Sequence, residues 1–325
     1  MKSHRRYDGY GEGGYHGSIA GPTRDGFWKK RAANSSTQMK LVVWRYIWRT
    51  STYNLTPMFL ALFLVLLFGL IFVSAGYASY SGLNSGVGMV FIATLFNSMI
   101  AFQSVLPLSC SKRASFYRER ASQTYNAFWY FLGSTIVEIP YCFMSSLIFT
   151  ALLPFCFTAA VLFWLILSLT ILMQFYMGMI FACALPSEEV AAIVGVLINS
   201  VFILFMGFSP PAYAIPSGYK WLYTISPLKF PLSVMVALVF ADCDELPTWN
   251  ETTQTYENVG SNLGCQPMAN FPADVGHITV KEYTEEYFGM EHSTIARNFG
   301  VVIGCIVVFR ILGLLALRFI NHQKR

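Results

Sequence analysis

The sequence predicts an all-α membrane protein of six transmembrane helices, with an amphipathic surface helix at its start, re-entrant helices and an extracellular loop domain before its last span. Three observations predict it. Of 325 residues, 55% are apolar and only 12% charged, too little charge to solvate a soluble domain of this size. The apolar residues lie in uninterrupted runs of about 20, the length that crosses a hydrocarbon core of ~30 Å as a helix. Those runs lack the apolar–polar alternation of a closed barrel, so their backbone groups must be satisfied within helices.

Residues 1–35 are rich in Gly, Tyr and Arg with no apolar core, which excludes a cleaved secretory signal and predicts disorder. The transmembrane domain then occupies 36–325. From 36 to about 54, Met39, Leu41, Val42, Trp44 and Ile47 alternate with Lys40, Arg45 and Arg49, as in a helix lying at the membrane surface with its basic groups toward lipid phosphates. Pro57 opens the first span, 57–77, at the helix position where proline is tolerated. A glycine-rich turn leads to a second span, 87–108. The segment 109–128 carries Lys112, Arg113, Arg118, Glu119 and Arg120, too much charge for lipid, and reads as a loop.

Further spans follow at 130–155, 160–184 and 190–208, the last stopped by Pro210 and Pro211. The stretch 219–240 is apolar but broken by Pro227, Lys229 and Pro231, which predicts a re-entrant pair of short helices packed against protein. It belongs to an outer region, 209–297, that precedes the final span at 298–319. Lys and Arg concentrate before Pro57, at 112–120 and in the tail, so both termini are expected in the cytoplasm. The acidic loop 242–297 then faces outward.

No CxxC pair occurs among the seven cysteines. Cys110, Cys142, Cys156, Cys183 and Cys305 lie singly in or beside apolar runs and read as small apolar fillers, so no metal site is expected. The five histidines pair with no nucleophile at any spacing that signals catalysis.

Several segments resemble the transmembrane domains of G-subfamily ABC transporters, in particular the second membrane domain of the pleiotropic-drug-resistance type. They are 84–89 (NSGVGM), 116–121 (FYRERA), 137–141 (VEIPY), 205–211 (FMGFSPP) with Ile215 and Pro216, and 221–227 (WLYTISP). The resemblance implies an ABC-2 type membrane domain of an ATP-driven exporter in the plasma membrane, moving amphipathic or lipid-like compounds or xenobiotics. Its implied partners are an ABC nucleotide-binding domain in cis or in trans, a second ABC transmembrane domain and membrane lipids, with no nucleic acid. ATP and Mg would sit on the nucleotide-binding domain, since GxxxxGK[ST] occurs nowhere in these residues and no ATPase activity is expected of them alone.

The resemblance also implies site roles. Phe116, Tyr117, Arg118, Glu119 and Arg120, with Arg45 on the surface helix, would meet the ATPase domain. The bland alternative is a solvated positive-inside loop. Asn97 and Ile100 of the second span and Asn199, Ile203 and Met206 of the fifth would face an apolar slot between two membrane domains, near Phe96. Their alternative is hydrogen bonding and packing between helices. Pro210 and Pro211 occupy the place of the family's outer gate.

Cys243 and Cys265 lie outside the spans on the oxidising face and should form a disulfide, as the family's outer loop does, stabilising it by roughly 3 kcal/mol. Asn250 is a glycosylation acceptor on that face, whereas the sequons at Asn34 and Asn54 should stay bare. Glu138 and Arg310 lie at similar depths, about 9–12 Å and about 12 Å from the cytoplasmic surface, so an ion pair between them is expected; the alternative is a snorkelling arginine beside a protonated or backbone-bonded glutamate. With Glu138 as the acid within a span, a channel or proton-coupled transporter is disfavoured. A non-transporting truncated fragment or scaffold of a full-size transporter is the other class to weigh.

Overall fold

A computed structural model describes residues 35–72, 76–121, 127–151, 157–243, 245–250, 255–270, 272 and 277–320. The predicted disorder at 1–34, Cys156, the sequon at Asn34 and the last basic residues lie outside them. The structure is a helical bundle: α1 Ser35–Phe72, α2 Tyr80–Ala121, α3 Ala127–Thr150, α4 Phe157–Ala184, α5 Glu188–Leu204, α6 Lys220–Ile225, α7 Lys229–Phe240, α8 Val280–Phe288 and α9 Ile295–Phe319.

Two expected breaks are absent. The helix of residues 36–54 and the first span are one continuous α1, which runs through position 57; a membrane helix tolerates proline when the freed backbone carbonyl is accommodated locally. The charged segment read as a loop at 109–128 continues α2 as helix to Ala121. At 42 residues α2 is about 63 Å long, twice a bilayer core, so its charged third stands outside lipid without ceasing to be helical.

Four helices, α2, α3, α4 and α9, are long and apolar enough to cross a membrane, and the α6–α7 pair, bent by 84°, makes a fifth if counted as one broken span. In α1 the apolar portion is Met58–Leu70, and α5 has 17 residues, about 26 Å.

α4 is the centre of the bundle, packed by α2, α3, α7 and α9. Two of its buried polar side chains bond to neighbouring helices: Ser168 shares a 2.6 Å hydrogen bond with Ser146 of α3, and Gln174 donates to Asn199 of α5 at 3.1 Å. Such bonds, together with small residues, hold helices where no hydrophobic drive separates them from lipid. The α6–α7 break is held by Ser226, whose hydroxyl donates to Phe202 O at 2.8 Å, and by the Lys229 ammonium, 3.9 Å from the Tyr223 ring centroid. α7 is buried along most of its length, the condition under which broken helices persist at membrane depth.

A small loop domain caps the other end. Cys243 and Cys265 are disulfide-bonded with Cα atoms 5.1 Å apart. The strands Thr248–Asn250 and Thr255–Glu257 pair antiparallel. α8 begins in a capping box between Thr279 and Glu282 and ends at Gly289, whose φ of 66° favours glycine. Ala269 N donates to Ala78 O and Tyr80 N to Ala269 O, both at 2.9 Å, which seats the loop domain on the start of α2.

Candidate functional site

The basic end of the bundle is braced by two arginines. Arg45 of α1 makes a two-pronged ion pair with Glu119 at 2.7 and 2.9 Å, joining the start of α1 to the end of α2. Arg113 donates to Ala182 O at 2.7 Å, Leu185 O at 2.6 Å and Pro186 O at 2.7 Å. Ala182 O is in the last turn of α4, where carbonyls lack partners inside the helix, and Leu185 and Pro186 are in the link that follows it. Arg113 thereby fixes the α2 extension to the α4–α5 link, a role that sequence reasoning missed because it treated the arginine only as loop charge.

The 116–120 motif divides by side chain. Phe116 is fully buried against Tyr130, ring centroids 4.8 Å apart, and Tyr117 is buried with its hydroxyl donating to Ile320 O at 2.7 Å. They anchor the α2 extension to α3 and to the end of α9. Glu119 faces Arg45, and Arg118 is exposed. The side chain of Arg120 lies outside the description.

The slot residues point inward in this chain. Asn199 is fully buried, accepting from Gln174 and donating to Met99 Sδ at 3.1 Å. Asn97 is buried and donates to Ala93 O in its own helix at 2.9 Å; Met206 is buried, while Ile100 and Ile203 are half-buried against the core. Asn97, Asn199 and Met206 thus lie inside this chain's own bundle, with Asn97 and Ile100 lining a small cavity there. The apolar side chains that α2 and α5 do present outward are Ile92 and Phe96, and Val190, Ile193, Leu197 and Leu204.

After α5 the chain turns sharply through Gly207, φ +97°, where an added Cβ would meet Tyr223 at 2.8 Å. The Phe208 ring stacks with Phe91 of α2 at 4.9 Å and with Phe288 of α8 at 5.9 Å, and lies over Gly88, where a Cβ would approach it to 3.1 Å. Pro210, after a cis peptide bond, and Pro211 are half-exposed beyond it. At this turn, Phe208 is the residue gripped by the long helices and the loop domain together. Next to it the Tyr213 and Tyr287 rings lie 5.0 Å apart. A hydrogen bond with Tyr213, then burial, pushes the Tyr287 phenol up to about 12, and burial raises that of Tyr283 as well.

The expected ion pair of Glu138 and Arg310 is not formed as a contact. The Arg310 guanidinium donates to Thr135 Oγ1 at 2.6 Å, Phe131 O at 2.7 Å and Ser134 Oγ at 3.0 Å, and lies 3.7 Å from the Phe131 ring centroid. All are on α3, one to two turns nearer its start than Glu138. A cation satisfied there by neutral acceptors and a ring face sits closer to the membrane surface than a direct pair would allow. In the loop domain, Asn250 Nδ2 donates to Glu257 Oε1 at 2.7 Å. Among the described residues no group of His, Cys, Asp and Glu could hold a metal ion.

Comparison with known proteins identifies this architecture. Residues 37–240 match the ABC-2 type transporter family, and residues 251–325 match the CDR ABC transporter family. The chain is 28% identical over 299 residues to ABC transporter G family member 38 of Oryza sativa subsp. japonica, covering 89% of this chain and 18% of that protein. It is 28% identical over 290 residues to pleiotropic drug resistance protein 1 of Nicotiana tabacum, covering 87% of this chain and 18% of the relative. With ABC transporter G family member 36 of Oryza sativa subsp. indica it shares 29% over 303 residues, 90% of this chain and 19% of the relative. The chain thus spans under a fifth of the length of these relatives. The phosphate-cradling motif GxxxxGK[ST] does not occur in these residues. A membrane bundle with a disulfide-closed loop domain, matched over most of its length, therefore belongs to the ABC-2 type transporter family, as a membrane domain of the pleiotropic-drug-resistance, G-subfamily type.

Proposed function

We propose that this chain is the membrane-spanning part of an ATP-driven exporter of amphipathic or lipid-like compounds, working with a nucleotide-binding domain and a second membrane domain. The observation that carries the reading is the Arg113 clamp: the α2 extension is bonded to the end of α4 and the start of the α5 link, so a push on that extension moves the helices around the path. Exposed Arg118 at the tip, beside the Arg45–Glu119 pair, is the charge-directed handle on which a nucleotide-binding domain pushes. Six spans result if α1, α5 and α9 each cross with α2, α3 and α4, the bent α6–α7 pair being re-entrant; a helix shorter than the bilayer is accommodated by local thinning. Both termini then lie in the cytoplasm and the protein resides in the plasma membrane. The outward faces of α2 and α5, with Phe96 and Leu197, form half of an apolar slot completed by the second membrane domain, and Phe208 closes its outer end.

The reading is tested by nucleotide hydrolysis. Purified chain alone should hydrolyse no ATP. Joined to a nucleotide-binding domain of the family and a second membrane domain, it should confer hydrolysis stimulated by amphipathic compounds. A complex that forms but whose ATP turnover ignores such compounds would leave the chain a scaffold.

A further inference from the structure

The Glu138 carboxyl has a place in the bundle that none of these roles uses. Glu138 of α3 is 3% exposed, yet it lies in the wall shared by two small cavities. The first, ≈ 40 Å³, lies between α1, α2, α3 and α4 and includes Asn97, Ser104, Tyr141 and Ser145. The second, ≈ 30 Å³, extends toward the basic end and includes Ser109, Lys112 and Ser134. Each exceeds the roughly 10–15 Å³ that one water needs, and each offers the two to four polar partners that hold a water in place. Among the described residues no protein group donates a hydrogen bond to the Glu138 carboxyl; what reaches it is the field of Lys112, then of Arg310. Arg310 itself is turned to Thr135, Ser134 and Phe131. A carboxyl this deep must be hydrated, paired or neutral, and the two cavities, largely apolar but each carrying a few polar side chains beside Glu138, are where water can reach it.

We propose that Glu138 is a protonation site, solvated by water in both cavities and exchanging its proton with the basic end of the bundle. A hydronium ion in the second cavity gives its proton to the carboxylate and leaves as water; the reverse step returns it. The groups facing the site are Lys112 and Arg113 from α2, Tyr141 and Cys142 from α3, Tyr176 and Cys183 from α4, and Arg310 from α9. On the far side from the basic end, the first cavity's lining includes Asn97 and Ile100. It lets the charge at the α2–α3–α4 contact change with proton occupancy, and it stands independently of the export reading.

The test is infrared spectroscopy of the full chain in lipid nanodiscs. A carboxyl C=O band should rise as pH falls, vanish in Glu138→Gln, move in Glu138→Asp and shift within seconds of transfer to D₂O. Ser109→Leu, which fills the second cavity, should slow that shift at least tenfold. A Glu138 band that stays unshifted in D₂O for hours would mean a dry carboxyl and would overturn the proposal. So would the absence of any band that depends on Glu138 at any pH, with its carboxylate stretch responding to sodium or potassium instead, the mark of a cation site. Because Glu138→Asp keeps the carboxyl, the assignment survives if the Gln variant fails to fold.

Discussion

Phe102 illustrates how single residues set the spacing of these helices. Its ring is fully buried where α4 and α5 both offer glycine: a Cβ on Gly195 would lie 2.4 Å from the ring, and one on Gly178 would lie 2.4 Å from the neighbouring Val105 and 2.9 Å from Phe102 O. Gly195→Val should cost about 1–3 kcal/mol by overpacking, read as a lower unfolding temperature in detergent. Gly304→Ala, with nothing within 4 Å of the new Cβ, is the matched control and should unfold no earlier than the parent. At the outer turn, Tyr287 gives a pH prediction with a definite sign. Its folded-state value of about 12 is above the ordinary tyrosine value of 10.0, so its contribution is complete below pH 10 and is lost as pH climbs through 12. Protease cleavage of the loop domain should therefore accelerate across that window, and Tyr287→Phe should flatten the dependence. Were cleavage to rise identically in the Phe variant, the Tyr213–Tyr287 bond would have no part in it.

At the scale of elements, α2 carries the argument, since one helix joins the outer turn at Phe91, the cavity at Asn97 and the basic end at Arg113. In the assembled transporter, Arg113→Ala should lower compound-stimulated ATP hydrolysis several-fold while basal hydrolysis persists, because the nucleotide site is untouched. Equal loss of both would point to misfolding instead, and Arg113→Lys, which retains one donor group for the α4 carbonyls, should recover part of the stimulation. Much of this was legible in the sequence. Apolar length gave the helices α2, α3, α4 and α9, and the prolines gave the broken α6–α7 pair, because lipid forces backbone satisfaction into helices. Charge at 112–120 told that the segment is outside lipid but not that it is helical, since hydropathy reads solvent rather than backbone. The inward turn of Asn97 and Asn199 was illegible for another reason: a helix that is apolar on all sides has no periodicity from which its rotation can be read. Phe116 and Tyr117 were found by their motif, but their burial was not legible, because a recurring motif marks a place in the family and does not say how a side chain packs in its own core.

For the whole molecule, the loop domain, the bent pair and the charged helix ends together imply a polarity across the membrane. Tags at residues 1 and 325 should be protected in sealed right-side-out vesicles, and a glycan should attach at Asn250 and nowhere near Asn54. One exposed tag and one protected tag would mean an odd number of spans and would make α6–α7 a crossing helix. Four long apolar helices were readable, but whether the apolar part of α1, the short α5 and the bent pair cross depends on what packs around them, which no local pattern encodes. The most direct measurement of the central claim is ATP-driven uptake of an amphipathic fluorescent compound into inside-out vesicles that hold this chain together with a nucleotide-binding domain and a second membrane domain. The account predicts uptake that needs ATP and both partners and is several-fold weaker in Arg113→Ala; uptake at the same rate without ATP, or none from a complete and folded assembly, would contradict it.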